Sequence, residues 1–175
     1  MGFVIVFVVI IAIILYMVKL NRDLLVNKDN ILRSMAALDA IIIKKNLAVL
    51  DLLGYAQEVM KKEENLIKEL FNKRHDINKI KPKVLNAPVR YQYQSEFENM
   101  LKNFLNACSR YPELSKNAAF QKCLTEYNKL AEVFDEKVDF YNLCVEKLNW
   151  SIHSFPSSIL AKMANTKEPP PPYQK

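Results

Sequence analysis

The side chains able to do chemistry in this chain are few and do not converge. His75 and His153 lie far apart, and Cys108, Cys123 and Cys144 are spaced as no metal or redox motif requires. The acids that stand together, Glu63-Glu64 and Asp135-Glu136, are adjacent in sequence and so point about 100° apart on a helix. Such pairs suit solvent better than general acid and base work. No glycine-rich phosphate loop, metal-ligand cluster or nucleophile elbow occurs. The expectation is a protein without catalysis, metal or cofactor.

What remains is chemistry of contact. Six cations lie in the polar stretch from Asn72 to Arg90: Lys73, Arg74, Lys79, Lys81, Lys83 and Arg90. With Lys44-Lys45 they are the candidates for an acidic partner, Lys79, Lys81 and Lys83 foremost. Asn142 and Asn149, seven residues apart, share one face of a helix beside its apolar seam. Asparagines so placed either set register or bond an adjoining helix or loop. The final Pro169-Pro-Pro-Pro-Tyr173 can form no helix; the expectation is an extended, mobile tail able to suit an aromatic groove.

The elements that position these groups are helices. Only 2 glycines occur, four of the 8 prolines are consecutive, and no short β-branched runs separated by turns follow the first twenty residues. A net charge of +6 with pI near 9.1 comes from 25 basic and 19 acidic residues interspersed along the chain. Nucleic acid would need a denser basic stripe, so none is expected as a partner.

Phe3 to Val18 holds no charge and no helix breaker, and as a helix it covers about 24 Å. Extended to Gly2 and Leu20 it approaches the length needed for a hydrocarbon core of about 30 Å. With no basic residue before it and no small-residue cleavage site after it, it is expected to be a retained anchor rather than a cleaved signal. Lys19, Arg22 and Lys28 follow it, and the positive-inside rule then leaves the N-terminus outside and the remainder in the cytoplasm. Three unpaired cysteines on apolar helix faces agree with a reducing compartment.

Beyond the anchor the apolar stripe Ile31, Met35, Leu38, Ile42, Val49, Leu52, Ala56, Val59, Leu66, Leu70 predicts one long helix continuing the membrane span, with Gly54 marking a close helix approach. A linker from Asn72 to Arg90 follows. A second helix is predicted over 95–109, a third from about Ser115 or Asn117 to Ile152 with a stripe from Phe120, and after Pro156 a short helix over 157–163. The fold expected is all-α: an elongated antiparallel bundle of three long helices and a short C-terminal one. Its parts are an anchor (1–20), a helical domain (21–163) and a disordered Pro-rich tail (164–175).

Tyr111-Pro112-Glu113-Leu114, Asn117 and Phe120, then Tyr141-Asn142, Val145, Asn149, Ile152, Phe155-Pro156 and Ala161, resemble the C-terminal half of the LemA family in residue and order. Lys44-Lys45 and Gly54-Tyr55-Ala56 resemble its N-terminal half. Val138 departs from the pattern, standing where the family usually has arginine. The resemblance implies a bundle on a single membrane anchor in a bacterial inner membrane, among proteins that include MamQ-type magnetosome relatives. It therefore suggests a non-catalytic scaffold or adaptor touching the bilayer and a protein partner or further copies of itself. The alternative is a membrane-remodelling protein of the MamQ kind, on an organelle membrane.

Overall fold

A computed structural model describes residues 2–81 and 87–174. Every regular element among them is helical: α1 Gly2–Val59, a 3-10 turn Lys61–Glu63, α2 Glu64–Lys79, α3 Ala87–Cys108, α4 Pro112–Lys116, α5 Ala118–His153 and α6 Ser157–Met163.

The directions of the helices follow from the side chains that meet. Asn27 of α1 bonds Ser151 of α5 while Lys45 lies over the rings of Tyr127 and Phe134, so α1 and α5 are antiparallel. Asp39 meets Arg90 and Lys45 meets Glu98, which makes α3 parallel to α1. Lys73 of α2 meets Glu96 of α3, and Arg90 reaches the carbonyl of Ile77. The result is an up-down-up-down bundle, the arrangement that short connections between amphipathic helices favour.

The seam of α1 is where the stripe predicts it, with Leu24, Ile31, Met35, Leu38, Ile42, Val49, Leu52 and Ala56 all buried. Residues 2–16, in contrast, are exposed along their whole length. One unbroken helix therefore passes from an apolar, uncovered stretch into a packed core.

Three local expectations are corrected. The first helix does not run on to Leu70: it stops at Val59, and Met60, fully buried, plugs the end of the core while the chain reverses through Lys61–Glu63. The run Lys-Lys-Glu-Glu-Asn at 61–65 breaks the apolar stripe, and so nothing holds those residues against the bundle as a continuing α1. The linker of 72–90 is mostly helix, belonging to the end of α2 and the start of α3. Its charges misled because Lys79 and Lys81 do lie on the outer face of a helical hairpin, whereas its inner face carries Ile77, Tyr91 and the buried Arg90. Gly54 is exposed, and a Cβ there would meet nothing within 4 Å, so it marks no close approach.

Two cores result. A distal one gathers Leu52, Met60, Leu70, Phe97, Phe104 and Phe120 from four helices; a proximal one, nearer the exposed apolar stretch of α1, gathers Leu24 to Ile42, Phe134 to Leu148, Ala87, Tyr91, Ala161 and Tyr173.

Candidate functional site

The most elaborate site lies where α2 and α3 run out and α1 and α5 continue toward the apolar stretch at the start of α1. α5 presents Phe134, Tyr141 and Asn142 there, spaced to share one side of the helix. α3 contributes Tyr91 from its first turns. Into this groove comes the C-terminal segment.

The route is set by the end of α6. Asn165 adopts φ 46°, a left-handed conformation that asparagine tolerates better than most residues. Its N–H donates to Lys162 O (3.1 Å) and that of Thr166 to Ala161 O (2.9 Å), a Schellman stop that turns the chain back along the bundle. The prolines then hold the segment extended.

Docking is specific to backbone and ring. Asn142 donates from Nδ2 to Tyr173 O (3.0 Å) and accepts from Tyr173 N–H at Oδ1 (2.7 Å), so one amide satisfies both backbone groups of that residue. The Tyr141 hydroxyl donates to Pro171 O at 3.0 Å. The Tyr173 ring is 4% exposed and meets Tyr91 at 5.4 Å and Phe134 at 5.5 Å between centroids; Tyr91 in turn meets Tyr141 edge-on at 5.4 Å. The tail expected to be mobile is thus a structural element. It replaces, beside α1 and α5, the cover that α2 and α3 give farther up.

Burial raises the phenols of Tyr91, Tyr127, Tyr141 and Tyr173 above the ordinary value, that of Tyr141 to about 12. Burial likewise pushes the Cys108 thiol up to about 12, leaving it protonated and unreactive. It touches Met60 Sδ at 3.6 Å.

Beside the clasp runs a buried polar ladder between α1 and α3. Arg90, 2% exposed, donates from Nε to Asp39 (2.8 Å) and from Nη1 to the carbonyls of Ile77 (3.0 Å) and Ile80 (2.7 Å). It thereby ties the C-terminal end of α2, where the helix dipole favours a cation, to α1. Burial raises the Asp39 carboxyl, against the lowering pull of Arg90. Asn46 and Gln94 pair at 3.2 Å, and Lys45 bonds Glu98 at 2.7 Å with its ammonium 4.2 Å from the Phe134 ring.

That placement corrects Lys45 as a surface contact: it is 3% exposed, because its stem lies in the seam and its charge is matched inside. Lys44, its neighbour, does face outward. Lys79 is exposed beside Asp76, Lys81 is exposed, and Lys83 lies outside the described residues.

The family-like positions divide by role. Tyr111 and Pro112 begin α4, the lid of the distal end; Asn117 caps α5, accepting from Ala119 N–H (3.0 Å) and Phe120 N–H (3.1 Å); Phe120 fills the distal core. Tyr141 and Asn142 form the clasp. Asn149 is exposed, and Phe155-Pro156, joined by a cis peptide, makes the turn between α5 and α6 with Phe155 outward. Sequence reasoning missed Asp39, Asn46, Gln94 and Glu98, and it placed Arg90 among outward cations and Tyr173 in a mobile tail. The available signals were Asp39 and Asn46 inside an apolar stripe, and Asn165 placed as a helix stop.

The model of the LemA family matches residues 34–173, which includes the docked tail. No curated protein and no solved structure matches the chain with significance.

Proposed function

Since the chain belongs to the LemA family, we propose that it works as a single-pass membrane-anchored scaffold, a rigid rod that holds a binding surface at a set distance from the bilayer. The observation that carries this reading is the continuity of α1. Residues 2–16 are exposed and apolar, and the same helix goes on without a break to form the seam of the bundle at Leu24 through Ala56. A single helix 58 residues long transmits orientation from membrane to bundle, which a flexible linker would not.

The interior supports a structural part for the bundle: its buried charges meet one another along the α1–α3 ladder. The surface for partners is then the outer face, including Lys44 and the exposed cations Lys79 and Lys81 on the α2–α3 hairpin. The Pro-Pro-Tyr segment would serve a partner only after leaving the clasp.

Proximity labelling with the full anchored chain, run beside a variant reversing charge at Lys44, Lys79 and Lys81, tests the reading. A partner set lost in the variant while both proteins stay in the membrane fraction supports it. A chain found chiefly in the soluble fraction would defeat the anchor itself, and a reporter fused after Lys175 fixes on which side the bundle lies.

A further inference from the structure

The end of the bundle beside the anchor exposes apolar side chains in an ordered way. Ile159 and Met163, four residues apart, share one face of α6, and Phe155 in the turn that precedes it is exposed as well. The opposite face, Ser157 and Ala161, is buried against the bundle. Phe155 is 82% exposed and Met163 78%, and Trp150 at the end of α5 is 69% exposed. Scattered apolar residues on a surface need no explanation, but an amphipathic helix turned outward at one end does.

The level of this end is fixed by its contacts with α1. Asn27 bonds Ser151 at 2.9 Å, and a groove of about 810 Å³ just below it is walled by Leu20, Asp23 and Leu24 on one side and Trp150, Ser154 and Ser157 on the other. Among residues 2–20, Met17 and Leu20 alone are partly covered, at the point where the apolar run ends in Val18. The α5–α6 turn therefore stands beside the place where α1 would leave a bilayer.

We propose that Trp150, Phe155, Ile159 and Met163 form a foot that sits in the headgroup–acyl boundary of the leaflet from which α1 emerges. This rests on the reading of α1 as a membrane span. The occupant of the face is lipid because the face continues, around the helix pair, the level at which the exposed apolar surface of α1 stops. Its residue types also fit: tryptophan and phenylalanine favour that boundary, where a ring can be half in hydrocarbon and half in the polar layer. Lys19, Lys147 and Lys162, all exposed at the same end, are placed to meet lipid phosphates. Two attachments, span and foot, hold the bundle at one tilt; a single helix leaves it free to lean.

Trp150 is the single tryptophan of the chain, so its emission reports the foot directly. The full chain is placed in nanodiscs of phosphatidylcholine and phosphatidylglycerol, with and without lipids brominated near the top of the acyl chain. The expected result is several-fold stronger quenching by the brominated lipid and several-fold weaker quenching by aqueous iodide than for free tryptophan amide. The F155S/I159S/M163S variant, altered at outward-facing positions, should stay in the nanodisc and keep its helicity while Trp150 regains access to iodide. Trp150 quenched by iodide as fully as the free amide and untouched by brominated lipid, in protein that co-elutes with the disc, would overturn the foot and leave the anchor standing. Protein that does not co-elute at all would overturn both.

Discussion

The distal half of the bundle and the half nearer the exposed apolar stretch solve the same problem with different means. Distally four helices enclose a core of Leu52, Leu70, Phe97, Phe104 and Phe120, with the buried Asn46–Gln94 and Lys45–Glu98 pairs at its lower edge. Proximally two long helices are left without their partners, and the gap is closed by α6, an extended tail and rings that meet edge to face. The boundary between them is marked by the Asp39–Arg90 pair, where α2 ends and α3 begins. The comparison teaches that helix–helix burial carries the far end, whereas the near end depends on a few directed polar contacts that can be made or lost separately.

The largest effect should come from the boundary. Arg90→Ala leaves Asp39 without its partner and removes the side-chain donor to the Ile77 and Ile80 carbonyls, and should cost about 3–5 kcal/mol in denaturant unfolding of the full chain. Replacing both partners, Asp39→Leu with Arg90→Met, should recover much of that loss. If the double variant is no better than the single, the pair does not act as a unit.

Alkali should act next, through the buried phenols. In the unfolded chain tyrosine ionises near 10. Tyr141 holds its proton to about 12 when folded, so its contribution is intact below pH 10 and is lost as pH rises from 10 toward 12. Each such tyrosine should cost about 1.4 kcal/mol per pH unit over its window. The fall should be shallower in Tyr141→Phe, read as the pH dependence of the melting temperature.

A smaller loss is expected at the clasp. Tyr173→Ala should cost about 1–2 kcal/mol, because undocking of a terminal segment caps the damage at its own docking energy. Amide exchange should quicken at Tyr91 and around Asn142 and stay slow in the distal core. Uniform acceleration in both halves would erase the distinction drawn between them. Smallest of all, Gly54→Ala should stabilise by about 1 kcal/mol, as a methyl group there meets open space on an exposed helix face. A loss instead would show that the outer face of α1 is covered by a partner.

Much of this architecture was legible in the order of residues. The apolar stripe of α1, the Asn117 cap, the stripe from Phe120 and the short helix after Pro156 were readable because each depends on neighbours within a turn or two. The reversal at Met60 was less so: no proline or glycine announces it, only a charged gap in the stripe. Lys45 and the tail were misread for a common reason. A lysine and a proline-rich end belong in water by composition, yet Lys45 is held inside by Glu98 and the tail is pinned through its buried Tyr173 by Asn142, both partners distant in sequence.

The sequence by itself determined the stripes of α1 and α5, the short α6, the apolar stretch at the start of α1 and the family resemblance, since periodicity and local caps are properties of contiguous residues. Only the tertiary structure decided that α2 forms, that Tyr141-Asn142 serves as a clasp, that Arg90 joins α2 to α1, and that Phe155, Ile159 and Met163 face outward at the end of the bundle nearer the apolar stretch. These depend on which faces the folded chain leaves uncovered, and burial is settled only when distant segments meet.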